Sequence, residues 1–172
     1  APEIWQARFE TRQRAIEVLA TTLRTVAPDV CVLFGDDQHE TFFEDNMPAI
    51  SVYWGATVDD APQPRDEPVP DTAAIDTPYT NAPPHRVSHP THAALGRYLI
   101  EALIEQGFDV AHTNRLPETR HRGTIGHAFN FVYRRLMNNQ VLPNVPIFLN
   151  TYFPPNQPTL PRCYQLGQAV RR

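Results

Sequence analysis

Apolar positions near the start of the chain recur at three- and four-residue steps. Trp5, Phe9, Ile16, Leu19, Ala20 and Leu23 fall on one face, and Glu10, Arg12, Arg14 and Arg24 on the other. That period predicts a helix over about residues 2–26, with Pro2 suited to its first turn and Ala27-Pro28-Asp29 ending it. The next run has another character: Val30-Cys31-Val32-Leu33-Phe34 is apolar throughout. Five such residues suit a strand covered on both faces, as in a parallel sheet. Ala49 to Trp54 is a second strand candidate. Ser88-His89-Pro90-Thr91 has the chemistry of a helix start, and Leu95, Tyr98, Leu99, Ala102 and Leu103 carry a helical stripe up to Gly107. Phe108 to His112 reads as a third strand. Gly126-His127 opens a helix with Phe129, Val132, Tyr133 and Leu136 on one side, stopped by Asn138-Asn139. Val145 to Leu149 is a fourth strand, and a last helix from about Leu160 turns Cys163, Leu166 and Val170 inward.

Helices followed closely by strands predict an α/β fold, a three-layer α/β/α arrangement with a mostly parallel sheet. The length suits one domain. The chain opens on Ala and stops inside a helical pattern, so the expectation is a segment of a longer protein, with the sheet incomplete at both ends. Residues 56–86 are rich in Pro, Asp and Thr without an apolar period. A rim or lid over a site and an uninvolved insertion both account for such a segment.

Composition narrows the chemistry. All 15 basic residues of the 172 are Arg, which excludes Schiff-base lysine chemistry. The net charge of -4 implies no basic surface for nucleic acid. There is no apolar run of membrane-spanning length and no signal peptide pattern, so no membrane partner is expected. Cys31 and Cys163 lie far apart; as buried free thiols they fit a reducing cytoplasm. The oligomeric state is not legible, and a homo-oligomer is compatible with the sequence.

The loop after the first strand, Gly35-Asp36-Asp37-Gln38-His39-Glu40, concentrates polar chemistry where open α/β sheets bind their ligands, beyond the carboxyl ends of the strands. Asp36, Asp37, His39 and Glu40 offer nitrogen and oxygen donors of a kind that iron, manganese or zinc accepts. A solvated turn with capping acids explains the same residues, and no His-x-x-x-His pair strengthens the metal reading. His127 stands at a predicted helix N-terminus, where the helix field would lower its proton affinity and keep it neutral. An acid/base or substrate-bonding role and simple capping of helix amides both fit. Asn150 and Thr151 follow the fourth strand at the edge of the acidic loop; they are candidate substrate contacts, although Asn is also a common turn residue. His89 and His92 read as surface or capping residues, and His112 as a satisfied strand-end imidazole. Arg115, Arg120 and Arg122 have the geometry to pair a ring carboxylate, with a solvated basic loop as the plainer account.

Several stretches together resemble one family. Gly35-Asp36-Asp37-Gln38-His39-Glu40-Thr41-Phe42-Phe43, Met47-Pro48-Ala49-Ile50 and Tyr53-Trp54-Gly55 form the first. Gly126-His127-Ala128-Phe129 with Arg134-Arg135-Leu136-Met137 is the second. The run from Pro143 to Pro158, followed by Arg162-Cys163-Tyr164 and Leu166-Gly167, is the third and most specific. These resemble the class III extradiol ring-cleaving dioxygenases, relatives of the protocatechuate 4,5-dioxygenase catalytic subunit, and within them the subgroup acting on gallate-type substrates such as 3-O-methylgallate.

The resemblance implies Fe(II) held by two His and one Glu, an aromatic diol chelated through both hydroxyls, and O2 at an open position. It assigns His127 to substrate contact and catalysis, with Gly126 where relatives carry Asp. It makes His39 and Glu40 the metal candidates, although the family's iron-binding His falls, ungapped, on Gln38. The family's first iron-binding His precedes the first helix, and its Gly-Gly-x-Ser-His segment and last iron-binding Glu follow the last. The expectation is therefore a partial chain that binds iron poorly alone. A non-catalytic binding or scaffold protein on the same fold and a metal-dependent hydrolase using the same loop are the alternatives.

Overall fold

In the computed structural model, which describes residues 2–62, 82–118 and 123–172, the chain runs α1 (Pro2–Val26), β1 (Cys31–Asp36), β2 (Ile50–Tyr53), β3 (Thr57–Asp60), β4 (Val87–Pro90), α2 (Ala93–Glu105) and β5 (Ala111–Thr113). It continues with α3 (His127–Phe131), a π-helical turn (Val132–Leu136), β6 (Asn144–Leu149) and α4 (Leu160–Val170). The part of the Pro-rich segment at 63–81, together with Arg120, His121 and Arg122, lies outside the described residues.

One sheet has the order β1-β6-β2-β5. β1 pairs β6 in parallel, from Cys31 opposite Asn144 to Asp36 opposite Leu149. β2 also pairs β5 in parallel, but it runs antiparallel to β6. The α/β expectation holds, and the sheet is mixed. A period of two reports which face a residue takes and says nothing of strand direction. β3 and β4 make a separate antiparallel hairpin.

Alternation along β6 divides the core. Val145 and Ile147 join Ile50 and Val52 of β2 against Leu99, Leu103, Leu166 and Ala169 of α2 and α4. Phe148 joins Phe129, Tyr133, Ile125 and Phe42 in a second cluster. That second cluster depends on a close approach: a Cβ on Gly35 would stand 2.6 Å from the Phe129 ring. Only glycine lets β1 lie this near α3.

Three expectations are corrected. The helix start at Ser88-His89-Pro90 is instead the strand β4; α2 begins at Ala93, where His92 caps it by accepting the Leu95 amide at 3.1 Å. The single helix expected after Gly126 becomes α3 and a π-helical turn. In α1 the predicted apolar face is covered only in its later half. Ile16 is half-buried, Ala20 is buried and Leu23 packs on the second cluster, whereas Trp5 and Phe9 in the first half are exposed, as is Leu19 beside the buried Ala20.

Candidate functional site

The loop leaving β1 is knotted by a carboxylate. Asp37, buried, accepts the amides of Thr41 at 2.8 Å and Phe42 at 3.2 Å. Its own amide donates to Leu149 at the end of β6. Burial pushes the Asp37 carboxyl up, and the two amides oppose that push. The knot turns Glu40 inward to the first turn of α3. There the His127 amide donates to Glu40 Oε1 at 3.1 Å and Oε2 at 3.3 Å, and His127 Nδ1 lies 2.7 Å from Oε2. Glu40 is 4% exposed, so this is a desolvated acid–imidazole pair. Gly126 makes it possible: a Cβ there would sit 2.5 Å from Glu40 Oε2.

The electrostatics of His127 run opposite to the expectation from the helix field. The hydrogen bond to Glu40 raises the imidazole above its ordinary value; burial opposes this, and the charges of Glu40, Asp36 and Asp37 add to it. A bonded carboxylate outweighs the partial charge of a helix of five residues.

His39 takes another direction from its neighbour. Its backbone is left-handed, with φ of 59°. Its ring stacks on Phe153 with centroids 3.5 Å apart and planes 10° apart, and on Phe43 at 5.5 Å. Its Nε2 is 3.3 Å from Glu44 Oε1, an ion pair when the ring is protonated. Gln38, where the family's metal His falls ungapped, is exposed and donates to Asp36 Oδ2 at 2.8 Å.

Asn150 is buried at the same edge, but both its side-chain N–H groups stay within its own loop. They donate to the Phe153 carbonyl at 2.6 Å and to Asn156 Oδ1 at 2.8 Å, while Oδ1 accepts the Phe153 amide at 2.8 Å. It holds Phe153 under His39. Thr151 is exposed. The sequence candidates therefore converge: His127 meets Glu40, and His39 meets the Asn150 loop through Phe153. His112 accepts the Trp54 indole N–H at 3.1 Å, and Arg115 is exposed.

Among the described residues no group of three or more His, Cys, Asp or Glu is placed to hold a metal ion. Both Glu40 oxygens face His127, whereas His39 Nε2 faces Glu44. As arranged, His39 and Glu40 do not fit an Fe(II) site between them.

Sequence reasoning did not find a second acid–imidazole pair. His89 Nε2 lies 3.7 Å from Oδ2 of Asp60, which is buried, and the His89 ring meets Tyr133 edge-on at 5.0 Å. Asp60 and His89 come together only through the β3–β4 pairing, which the Pro-rich segment between them hides. Phe153 was missed as well; the one signal for it was its place inside the most specific motif.

No family model matches the chain. Two curated proteins do. A 2,3-dihydroxyphenylpropionate/2,3-dihydroxicinnamic acid 1,2-dioxygenase of Photorhabdus laumondii subsp. laumondii is 30% identical over 159 residues, covering 92% of this chain and 41% of that protein. A protein of the same name from Comamonas testosteroni is 24% identical over 159 residues, covering 91% and 41%. The likeness is to dioxygenases. The chain spans about two fifths of the length of these relatives. Neither carries a gallate-type name, so the narrower subgroup rests on the motifs alone. No helix among the described residues is long and apolar enough to cross a membrane.

Proposed function

We propose that residues 1–172 are a catalytic-domain segment of an oxidoreductase that opens a catechol-type aromatic ring with O2, in the extradiol manner. The observation that carries this reading is the buried Glu40–His127 pair, built on two of the three stretches that resemble the family. The dioxygenase names of the two relatives support it at the level of the reaction class.

His127 would handle the proton. Glu40 fixes the ring through the Nδ1 contact, and the amide of the same residue anchors the carboxylate. With Nδ1 turned to Glu40, a proton exchanged with a ring hydroxyl passes through the other nitrogen, Nε2. The carboxylate favours the imidazolium, so the pair suits accepting a phenolic proton and holding it. The family resemblance implies Fe(II), and the described donors do not assemble a site for it.

The test is O2 uptake with the absorbance of a ring-opened product, after anaerobic exposure to Fe(II), using 2,3-dihydroxyphenylpropionate, protocatechuate and 3-O-methylgallate. It is run on this chain and on a polypeptide extended at both ends to the length of the relatives. The expected result is ring opening in the longer protein, lost in His127→Ala, and little in the 172-residue chain. Absence of ring opening in both refutes the reading. A non-catalytic binding protein is the second reading, favoured by the lack of a three-donor group among the described residues. Saturable catechol binding without O2 uptake in the longer protein selects it.

A further inference from the structure

Between α1 and the π-helical turn lies a groove of about 680 Å³ that shares no lining residue with the Glu40–His127 site. Arg24 lines it from α1, Arg134 and Arg135 from the π-helical turn, and Glu17 is its acid. A π turn takes more residues per turn than an α-helix, because its hydrogen bonds reach five residues back. Consecutive side chains therefore splay less, and both arginines line the same groove. Arg135 is steadied by a hydrogen bond to Gln13 across it.

The charges there are only partly balanced by the protein. Arg14 and Arg86 have carboxylate partners in Glu10 and Asp59. Among the described residues, Arg24, Arg134 and Arg135 have none within ion-pair distance; Arg24 donates to the Thr21 hydroxyl at 2.9 Å and Arg134 to the Ala82 carbonyl at 3.4 Å. Each guanidinium carries five N–H donors, so most remain available. Three Arg against one Glu leave a formal surplus of two positive charges in a chain whose net charge is -4. Like charges gathered in one concavity repel unless an anion joins them.

We propose that this groove binds a small organic dianion, a dicarboxylate or a phosphate ester, held by Arg24, Arg134 and Arg135. Planar guanidinium groups meet either oxyanion in paired hydrogen bonds. The proposal stands apart from the ring-opening reading.

The experiment is calorimetric titration of the 172-residue chain at low ionic strength with succinate and, separately, inorganic phosphate. Saturable one-site binding of either probe is expected, and the tighter probe names the oxyanion. Arg24→Gln and Arg134→Gln, both at exposed positions, should each weaken it about tenfold. Glu17→Gln, which removes the repelling charge, should tighten it, and His127→Ala should leave it unchanged. Failure of both probes to saturate overturns the proposal. So does an affinity indifferent to Arg24→Gln and Arg134→Gln, which would mean adventitious ion binding elsewhere.

Discussion

Gly126 and Glu40 approach more closely than any side chain at 126 would allow, since a Cβ there would stand 2.5 Å from Glu40 Oε2. The backbone at Gly126 is extended, with φ of -84° and ψ of 174°, a conformation open to every residue. Gly126→Ala therefore acts by collision alone. The buried carboxylate has to move, and it is the partner of both the amide and Nδ1 of His127. We expect a loss of about 1–3 kcal/mol in urea denaturation, together with changed His127 ring nitrogen shifts by NMR. An unchanged His127 spectrum would mean that Glu40 is not held against α3.

The same pair sets a pH dependence. Its folded imidazole is raised, first by the hydrogen bond to Glu40, above an unfolded value near 6.5. A raised histidine stabilises the fold fully below the unfolded pKa, and that contribution fades as pH rises through the folded one. The stability difference between the native protein and His127→Gln should be largest below about pH 6.5 and shrink as the solution becomes more alkaline. In a Glu40→Gln background the dependence should flatten, because a neutral amide no longer favours the imidazolium. A difference growing with pH would contradict the assigned partner.

Gly167 makes the opposite case to Gly126. It lies inside α4, and a Cβ built on it meets nothing within 4 Å. Glycine in a helix interior costs about 0.5–1 kcal/mol relative to alanine. Gly167→Ala should raise stability by that amount in chemical denaturation, with no effect on His127. A loss instead would show that something packs on this face of α4.

α4 was legible from the stripe of Cys163, Leu166 and Val170, and β1 and β6 from the unbroken apolar runs Val30–Phe34 and Val145–Leu149. The cover on both faces expected of the first run holds for β6 and not for β1, which stands at the edge of the sheet with Phe34 exposed. The β3–β4 hairpin was not legible, because Thr57-Val58-Asp59-Asp60 and Val87-Ser88-His89-Pro90 are short, mixed and far apart. For the site, sequence named Glu40 and His127 but gave them separate duties, one to a metal and one to a substrate. Their contact spans 87 positions and depends on two close approaches, Gly35 on Phe129 and Gly126 on Glu40, which no local spacing encodes. The direction of the His127 shift was misjudged for the same reason, since the helix terminus is visible in the sequence and the carboxylate packed on it is not.

His39 offers a test of how the loop is held. Its φ of 59° is left-handed, and its ring is stacked at 3.5 Å on Phe153, which Asn150 fixes in place. Two opposing effects meet at one residue. The backbone is uncomfortable for a residue with a Cβ by about 1–2 kcal/mol, and the stacking returns about 0.5–1.5 kcal/mol. His39→Gly removes both, so its stability should stay within about 0.5 kcal/mol of the native protein. His39→Ala removes the stacking and keeps the Cβ, so it should be less stable than His39→Gly by about 1 kcal/mol. Equilibrium denaturation of the two variants side by side decides the matter. Equal stabilities would mean that residue 39 abandons the left-handed conformation once its ring is gone, and that Phe153, not the Asp37 knot, sets the path of the loop.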